Sequence, residues 1–136
     1  VCILPRGHAL ALKTTITPSD LNGAPFISFK TDSHVSQKVT AMMEQYGVAA
    51  NRILTAHAST TLRQFVVAGH GVSLVHPLFV ADIADRLVIR PFEPRIPVQL
   101  YMCHAAAARN VKLIDAFMDS SRSQAERLSE ATRWQD

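Results

Sequence analysis

The sequence predicts an α/β fold built on a mainly parallel sheet. Short apolar runs rich in strand-forming residues alternate with segments in which apolar residues recur at helical spacing. Parallel strands need a crossover connection of this kind, because a tight turn cannot return the chain to the same end of the sheet. A chain of 136 residues is long enough for one ordinary domain with its own core.

The predicted strands are short and are bounded by proline, glycine or polar residues, as buried strands usually are. In chain order they are VCILP (1–5), FISF (26–29), ILTAH (53–57), VSLV (72–75), LVIRPF (87–92) and VQLYMCHA (98–105). The intervening EPRIP segment is rich in proline and is expected to cross between parts of the fold.

The predicted helices are placed by their capping residues. Their expected starts are Thr17–Pro18, Asp32 or Ser33, Ser59, His76–Pro77 and Asn110. Gly47 is expected to end the second of these helices, and Gly69 or Gly71 the third. Beyond Asp119 the sequence becomes polar, which predicts either a solvated continuation of the last helix or a frayed tail.

Composition excludes several classes of function. The formal charge is +3, from 14 basic and 11 acidic residues, and no basic run is long enough to follow a phosphate backbone. No apolar run approaches the roughly 20 residues that span a bilayer. Because Val1 opens inside an apparent strand, we expect the chain to be a fragment of a longer protein.

Neither metal binding nor catalysis is predicted. The six histidines show no metal-ligand spacing, and no nucleophile elbow or phosphate-binding glycine motif occurs, so we expect no metal, no cofactor and no catalytic residue. Cys2 and Cys103 both lie in apolar, strand-like segments. They are expected to be buried and reduced rather than joined in a disulfide, which favours the cytoplasm.

Polar residues follow several of the predicted strands at their carboxyl ends. They are Lys30, Thr31, Ser33, Ser59, Thr60 and His76, and Ser28 adds a hydroxyl group near the end of FISF itself. In a parallel sheet these ends share one edge, where helix N-termini also point, so hydroxyl groups and backbone N–H groups there suit a small anion or zwitterion. Two alternatives stay open: Ser33 and Ser59 act only as N-caps, and His76 only caps the Pro77 helix.

Three strings in the sequence resemble LysR-type transcriptional regulators. These are PRGHALALKTTITPSDLNGAPFISF, AGHGVSLVHP and LVIRPFEPRIPVQLYMCH, and the likeness runs from Val1 to about Ser120. One departure is Ala9 after His8, where the family usually has proline. The resemblance implies a two-lobed effector domain like a type-2 periplasmic binding protein.

The resemblance also implies how the chain divides. Residues 1–23 would be part of the first lobe and a crossing segment, and 24–96 the complete second lobe. Residues 97–120 would return to the first lobe, and 121–136 would form a polar tail. In such an arrangement the strands that carry Cys2 and Cys103 would be neighbours.

By the same resemblance, the chain is the ligand-sensing part of a cytoplasmic regulator. The effector would lie between the lobes, against Ser28, Lys30, Thr31, the turn before Ser59, and Val75 and His76. FISF resembles regulators of opine and basic amino-acid catabolism, so an amino acid, opine or other carboxylate is expected. DNA would be bound only through an N-terminal winged helix-turn-helix absent from this chain, in a homodimer or homotetramer. The alternative is a periplasmic solute-binding protein of a transporter, which shares the fold; an enzyme is disfavoured.

Overall fold

The computed structural model describes residues 1–99, 101–105 and 110–131. The chain forms two compact units, Val1–Val98 and a second that begins at Gln99. The strands of the first unit are β1 (Cys2–Leu4), β2 (Pro25–Phe29), β3 (Asn51–Ala56), β4 (Ser73–Leu74) and β5 (Val88–Arg90). Its α-helices are α1 (His34–Gln45) and α2 (Ser59–Val67), and 3₁₀ turns occur at Ala9–Leu12, Pro18–Leu21, Pro77–Phe79 and Ala81–Arg86.

The strands of the first unit line up in the order β3-β2-β4-β1-β5. β2 and β3 are parallel, and β1 lies antiparallel between β4 and β5. Val72, just before β4, joins the two groups: its N–H donates to Pro25 O and its carbonyl accepts from Ile27 N, both at 2.9 Å. β1 is therefore the one strand among these that runs against the others, which agrees with the predicted mainly parallel α/β fold.

The first strand differs from its predicted place. We expected residues 1–23 to belong to another lobe than residues 24–96, but Cys2 pairs with both Leu74 and Arg90. The side chains of Cys2, Ile3 and Leu4 are completely buried. β4 and β5 pair with the two edges of β1, and its two faces enter the two cores, Cys2 and Leu4 on one side and Ile3 on the other.

The sheet is covered on both faces. On one face, Phe26 packs with Val39, Met42 and Met43 of α1. On the other, Ile27 packs with Leu62 and Val66 of α2 and with buried residues of the 77–87 segment. Successive residues of β2 thus enter opposite cores, as the alternation of a strand requires.

Helix starts agree with the sequence except at two places. Ser33 caps α1, and Thr17 forms a capping box with Asp20. At α2 the cap position falls on Ala58 rather than on Ser59, which is the first helical residue. After His76 the predicted helix is instead the two 3₁₀ turns Pro77–Phe79 and Ala81–Arg86, because the chain leaves helical torsions at Val80 (φ −132°, ψ 0°) and again at Ile83 (φ −130°, ψ 17°).

The second unit contains α3 (Val111–Ala131). The predicted strand at 98–105 is not formed in the part of it that the structure describes, and Cys103 is exposed rather than buried. A strand needs a hydrogen-bonded neighbour, and no described residue pairs with this segment. α3 runs on through Ser120, so the predicted polar tail begins as a helix; residues 132–136 lie outside the described part of the chain.

Candidate functional site

The carboxyl ends of β2, β3 and β4 meet at one edge of the sheet. Phe29 lies opposite Ala56 in the parallel pair, and Lys30 N donates to Ala56 O at 3.1 Å. Ser73 Oγ donates to Ile27 O at 2.7 Å, which fixes β4 beside β2. The polar residues that follow these strands are therefore gathered at this edge, which we call the strand-end edge.

In the loop after β2, Lys30 and Ser33 already bond to residues of the loop itself or of α1. Lys30 Nζ pairs with Asp32 Oδ2 at 3.0 Å, and both side chains are exposed. Ser33 Oγ accepts a hydrogen bond from Ser36 N at 3.1 Å, so the capping role of Ser33 is realised. Thr31, between Lys30 and Asp32 in the sequence, is exposed.

The N-terminus of α2 is open by comparison. Its cap residue is Ala58, and no side chain in the described part of the chain caps the helix. The first N–H groups of a helix have no partner within it, so they remain available as donors with the positive end of the helix dipole behind them. Ser59 is half-buried and Thr60 is exposed at this helix end.

Two of the predicted contacts are placed differently. Ser28 is buried, and its hydroxyl donates to Phe29 O at 2.9 Å. Val75 is also buried among the core residues of the α2 face. Its N–H donates to Val1 O and its carbonyl accepts from Val1 N, both at 3.0 Å. Val75 therefore presents no free polar group to the edge.

His76 follows Val75 and is the most chemically versatile group at the edge. Its Nδ1 accepts a hydrogen bond from Leu78 N at 3.3 Å, which caps the Pro77–Phe79 turn. Its ring meets that of Phe79 edge-on, with centroids 6.1 Å apart. Burial lowers the pKa of His76.

Sequence reasoning overlooked Arg63. This residue lies one helical turn after Ser59, and its guanidinium donates to Phe79 O at 2.8 Å and to the Asp82 carboxylate. Its Nε is buried without a hydrogen-bond partner. Arg63 thereby ties α2 to the segment that carries His76. The available signal was a lone cation at i+4 from Ser59, between the apolar Leu62 and Val66.

Two other kinds of site are not found. The described residues include no group of three or more histidine, cysteine, aspartate or glutamate side chains placed to hold a metal ion. Within the same part of the chain, no helix has both the length and the apolar character needed to cross a bilayer. What the edge offers is hydrogen-bond donors and hydroxyl groups.

Comparison with known proteins identifies the family. Residues 1–126 match the LysR substrate binding domain. This chain belongs to that family. The fold and the family both agree with the resemblance that the sequence shows. Neither the family nor its relatives favour the alternative of a periplasmic solute-binding protein. The family consists of transcriptional regulators.

Relatives and solved structures agree with the assignment. The chain is 31% identical over 118 residues to the transcriptional activator protein LysR of Escherichia coli, covering 86% of this chain and 38% of that protein. It is 34% identical over 99 residues to the regulatory protein NocR of Agrobacterium tumefaciens, covering 71% and 33%. The CcmR regulatory domain of Synechocystis, solved in complex with 2-PG, shares the fold with a TM-score of 0.68 at 20% identity, covering 88% and 59%. The chain thus spans 33–38% of the length of these two relatives.

Proposed function

We propose that this LysR-family domain senses a small carboxylate metabolite at the strand-end edge. The contacts would come from Lys30, Thr31, Ser33, Ser59, Thr60 and His76, with Ser28 and Val75 supporting the edge from below. An amino acid, an opine or another carboxylate fits this set of donors. We also propose that Val1–Val98 forms one effector-binding lobe.

The observation that carries the proposal is the uncapped N-terminus of α2. Ala58 has no side chain that could accept from the first N–H groups of the helix. A carboxylate can accept from those N–H groups and from the hydroxyls of Ser59 and Thr60, where the helix dipole favours negative charge. α1 differs, because Ser33 already occupies one of its donors.

The role of the whole protein is also a proposal. We propose that it is a cytoplasmic DNA-binding regulator, because the relatives are regulators and the chain spans 38% of the Escherichia coli LysR protein. A winged helix-turn-helix outside this chain would bind DNA, in a homodimer or homotetramer. Effector binding would then shift an equilibrium between arrangements of the assembly.

Titration calorimetry on the complete gene product tests the sensing role. The probes are L-lysine, L-arginine, octopine, 2-oxoglutarate and malate, which span basic amino acids, an opine and simple carboxylates. We expect at least one probe to bind. A double Ser59→Ala, Thr60→Ala variant should weaken that binding about tenfold or more, since each lost hydrogen bond to a charged group is worth roughly 1.5–3 kcal/mol.

Ser19→Ala is the matched control. Ser19 is an exposed hydroxyl in the Pro18–Leu21 turn, which precedes β2 and so lies toward its amino end. This substitution should leave the affinity unchanged. Loss of thermal stability in the double variant with unaltered affinity would instead mean that Ser59 and Thr60 support the fold only.

A further inference from the structure

The ring of His76 is held in one tautomer by the turn that it caps. Pro77 has no N–H, so the first backbone donor of the turn is Leu78 N, and it points at His76 Nδ1 from 3.3 Å. A nitrogen that accepts a hydrogen bond carries no proton. In the neutral ring the proton must therefore sit on Nε2.

The surroundings favour that neutral ring. Burial lowers the pKa of His76 from its ordinary value. Protonation would also turn Nδ1 into a donor that faces the Leu78 donor, and the capping bond would be lost. The edge-on Phe79 ring limits how far the imidazole can turn away.

The other ring nitrogen is uncommitted. Among the described residues, the hydrogen bond from Leu78 is the one that reaches the imidazole, and the side chain is only partly buried. His76 is the second residue after β4, at the strand-end edge to which Lys30 also belongs. An N–H donor of fixed direction is thus left at the place proposed for the effector.

We propose that His76 is a specificity-determining residue, whose Nε2–H donates to an oxygen acceptor of the effector. This proposal rests on the proposed sensing function and deepens it. The class of effector it selects is a carboxylate with a second acceptor, such as a carbonyl, hydroxyl or further carboxylate oxygen. An ammonium group presented to His76 would meet another donor and would be rejected.

The capping and donor roles of His76 can be separated by substitution. In His76→Asn the side-chain oxygen can accept from Leu78 N as Nδ1 does, but the amide nitrogen is bonded directly to Cγ and does not reach the position of the Nε2 donor. His76→Ala removes both. His8 is a matched control, because its Nδ1 caps the Ala9–Leu12 turn in the same way, accepting from Leu10 N at 3.2 Å. His8 follows β1, which runs antiparallel to β4, so it lies toward the opposite edge.

Calorimetry on the complete gene product uses whichever of 2-oxoglutarate, malate or octopine binds the wild type most tightly. We expect His76→Asn to keep the wild-type melting temperature and to bind that probe at least about tenfold more weakly. His76→Ala should lose both affinity and stability, and His8→Asn should keep the wild-type affinity. Wild-type affinity in His76→Asn overturns this proposal alone, whereas absence of binding by the wild type to every probe overturns the sensing function and this proposal together.

The tautomer of His76 can be measured by NMR without any ligand. Long-range proton–nitrogen correlation of the ¹⁵N-labelled histidines, assigned with His76→Asn, should show His76 neutral at pH 7 with its proton on Nε2. A proton on Nδ1, or a charged ring at that pH, overturns the proposal whatever the binding data show.

Discussion

Gly71 is the residue at which the backbone leaves least room. A Cβ atom added there would lie 2.5 Å from Pro25 O, well inside contact distance, and the obstacle is backbone. The same Pro25 carbonyl accepts the hydrogen bond from Val72 that joins β4 to β2. Close approach, rather than torsion, therefore demands glycine here.

We expect Gly71→Ala to destabilise the protein by about 3 kcal/mol or more, because β2 and β4 must separate to admit the methyl group. Gly47→Ala is the comparison. Gly47 has φ +64° but open space around it, so the cost there is only the left-handed strain of about 1 kcal/mol. Urea unfolding measures both, and equal losses would show that Gly71 is not sterically required.

The two cysteines should differ sharply in reactivity. Cys2 is buried, and burial raises the pKa of its thiol to about 12, whereas Cys103 is exposed. Alkylation proceeds through the thiolate. Iodoacetamide at pH 8 should therefore modify Cys103 first and Cys2 only on unfolding, as peptide mass mapping would reveal; early modification of Cys2 would mean that β1 is not held in the sheet.

At the scale of elements, capping signals in the sequence predicted where most helices start, but not always which residue occupies the cap position. Ser33 and His76 accept capping hydrogen bonds as their residue types predict, whereas the N–H and the hydroxyl of Thr17 donate to Asp20. Ser59 was expected to cap α2, but the cap position is Ala58, and no sequence pattern distinguishes a serine at the cap from one a residue later. That one-residue difference leaves the helix donors free, so the most informative feature of the candidate site was visible only in the structure.

The capping box before β2 should be sensitive to acid. Burial alone would raise the pKa of Asp20, but hydrogen bonds from Lys13 and Thr17 outweigh it and hold the pKa below its ordinary value. A carboxyl group with a lower pKa in the folded state stabilises the fold fully above its unfolded pKa of about 3.9, and this stabilisation is lost as pH falls through the folded-state pKa.

Asp20→Asn should therefore cost about 1 kcal/mol of unfolding free energy at pH 7, and the difference from wild type should start to shrink as pH falls below about 4. Denaturant titrations at several pH values measure this. A difference that stays constant from pH 7 to pH 3 would contradict the ionised role of Asp20.

On the scale of the whole molecule, the core is confined to the first unit. Every buried hydrophobic side chain of the described residues lies between Cys2 and Phe92. α3 in contrast exposes Val111, Leu113 and Phe117. The helical spacing of the apolar residues in α3 is visible in the sequence. A local pattern does not specify which surface would pack against that apolar face. A local pattern also does not specify a strand's hydrogen-bonding neighbour. The 98–105 segment has a strand-like composition for this reason without forming a strand in its described residues.

Removal of residues 99–136 should consequently leave the sheet intact. We expect the 1–98 chain to unfold cooperatively within about 5 °C of the 136-residue chain, because a shift of that size corresponds to only about 1 kcal/mol. Circular dichroism melting compares the two. A shortened chain without a cooperative transition would show that the second unit contributes to the core.

The place of β1 in the sheet has a consequence for biosynthesis. Val1 and Val75 are hydrogen-bonded partners 74 positions apart, so the ribosome must add all of the intervening chain before β1 finds a neighbour. At roughly 5–20 residues per second, the nascent CIL segment waits about 4–15 s with its apolar side chains unprotected. During that interval chaperone capture competes with aggregation, and slower translation of residues 5–74 should lower the soluble yield.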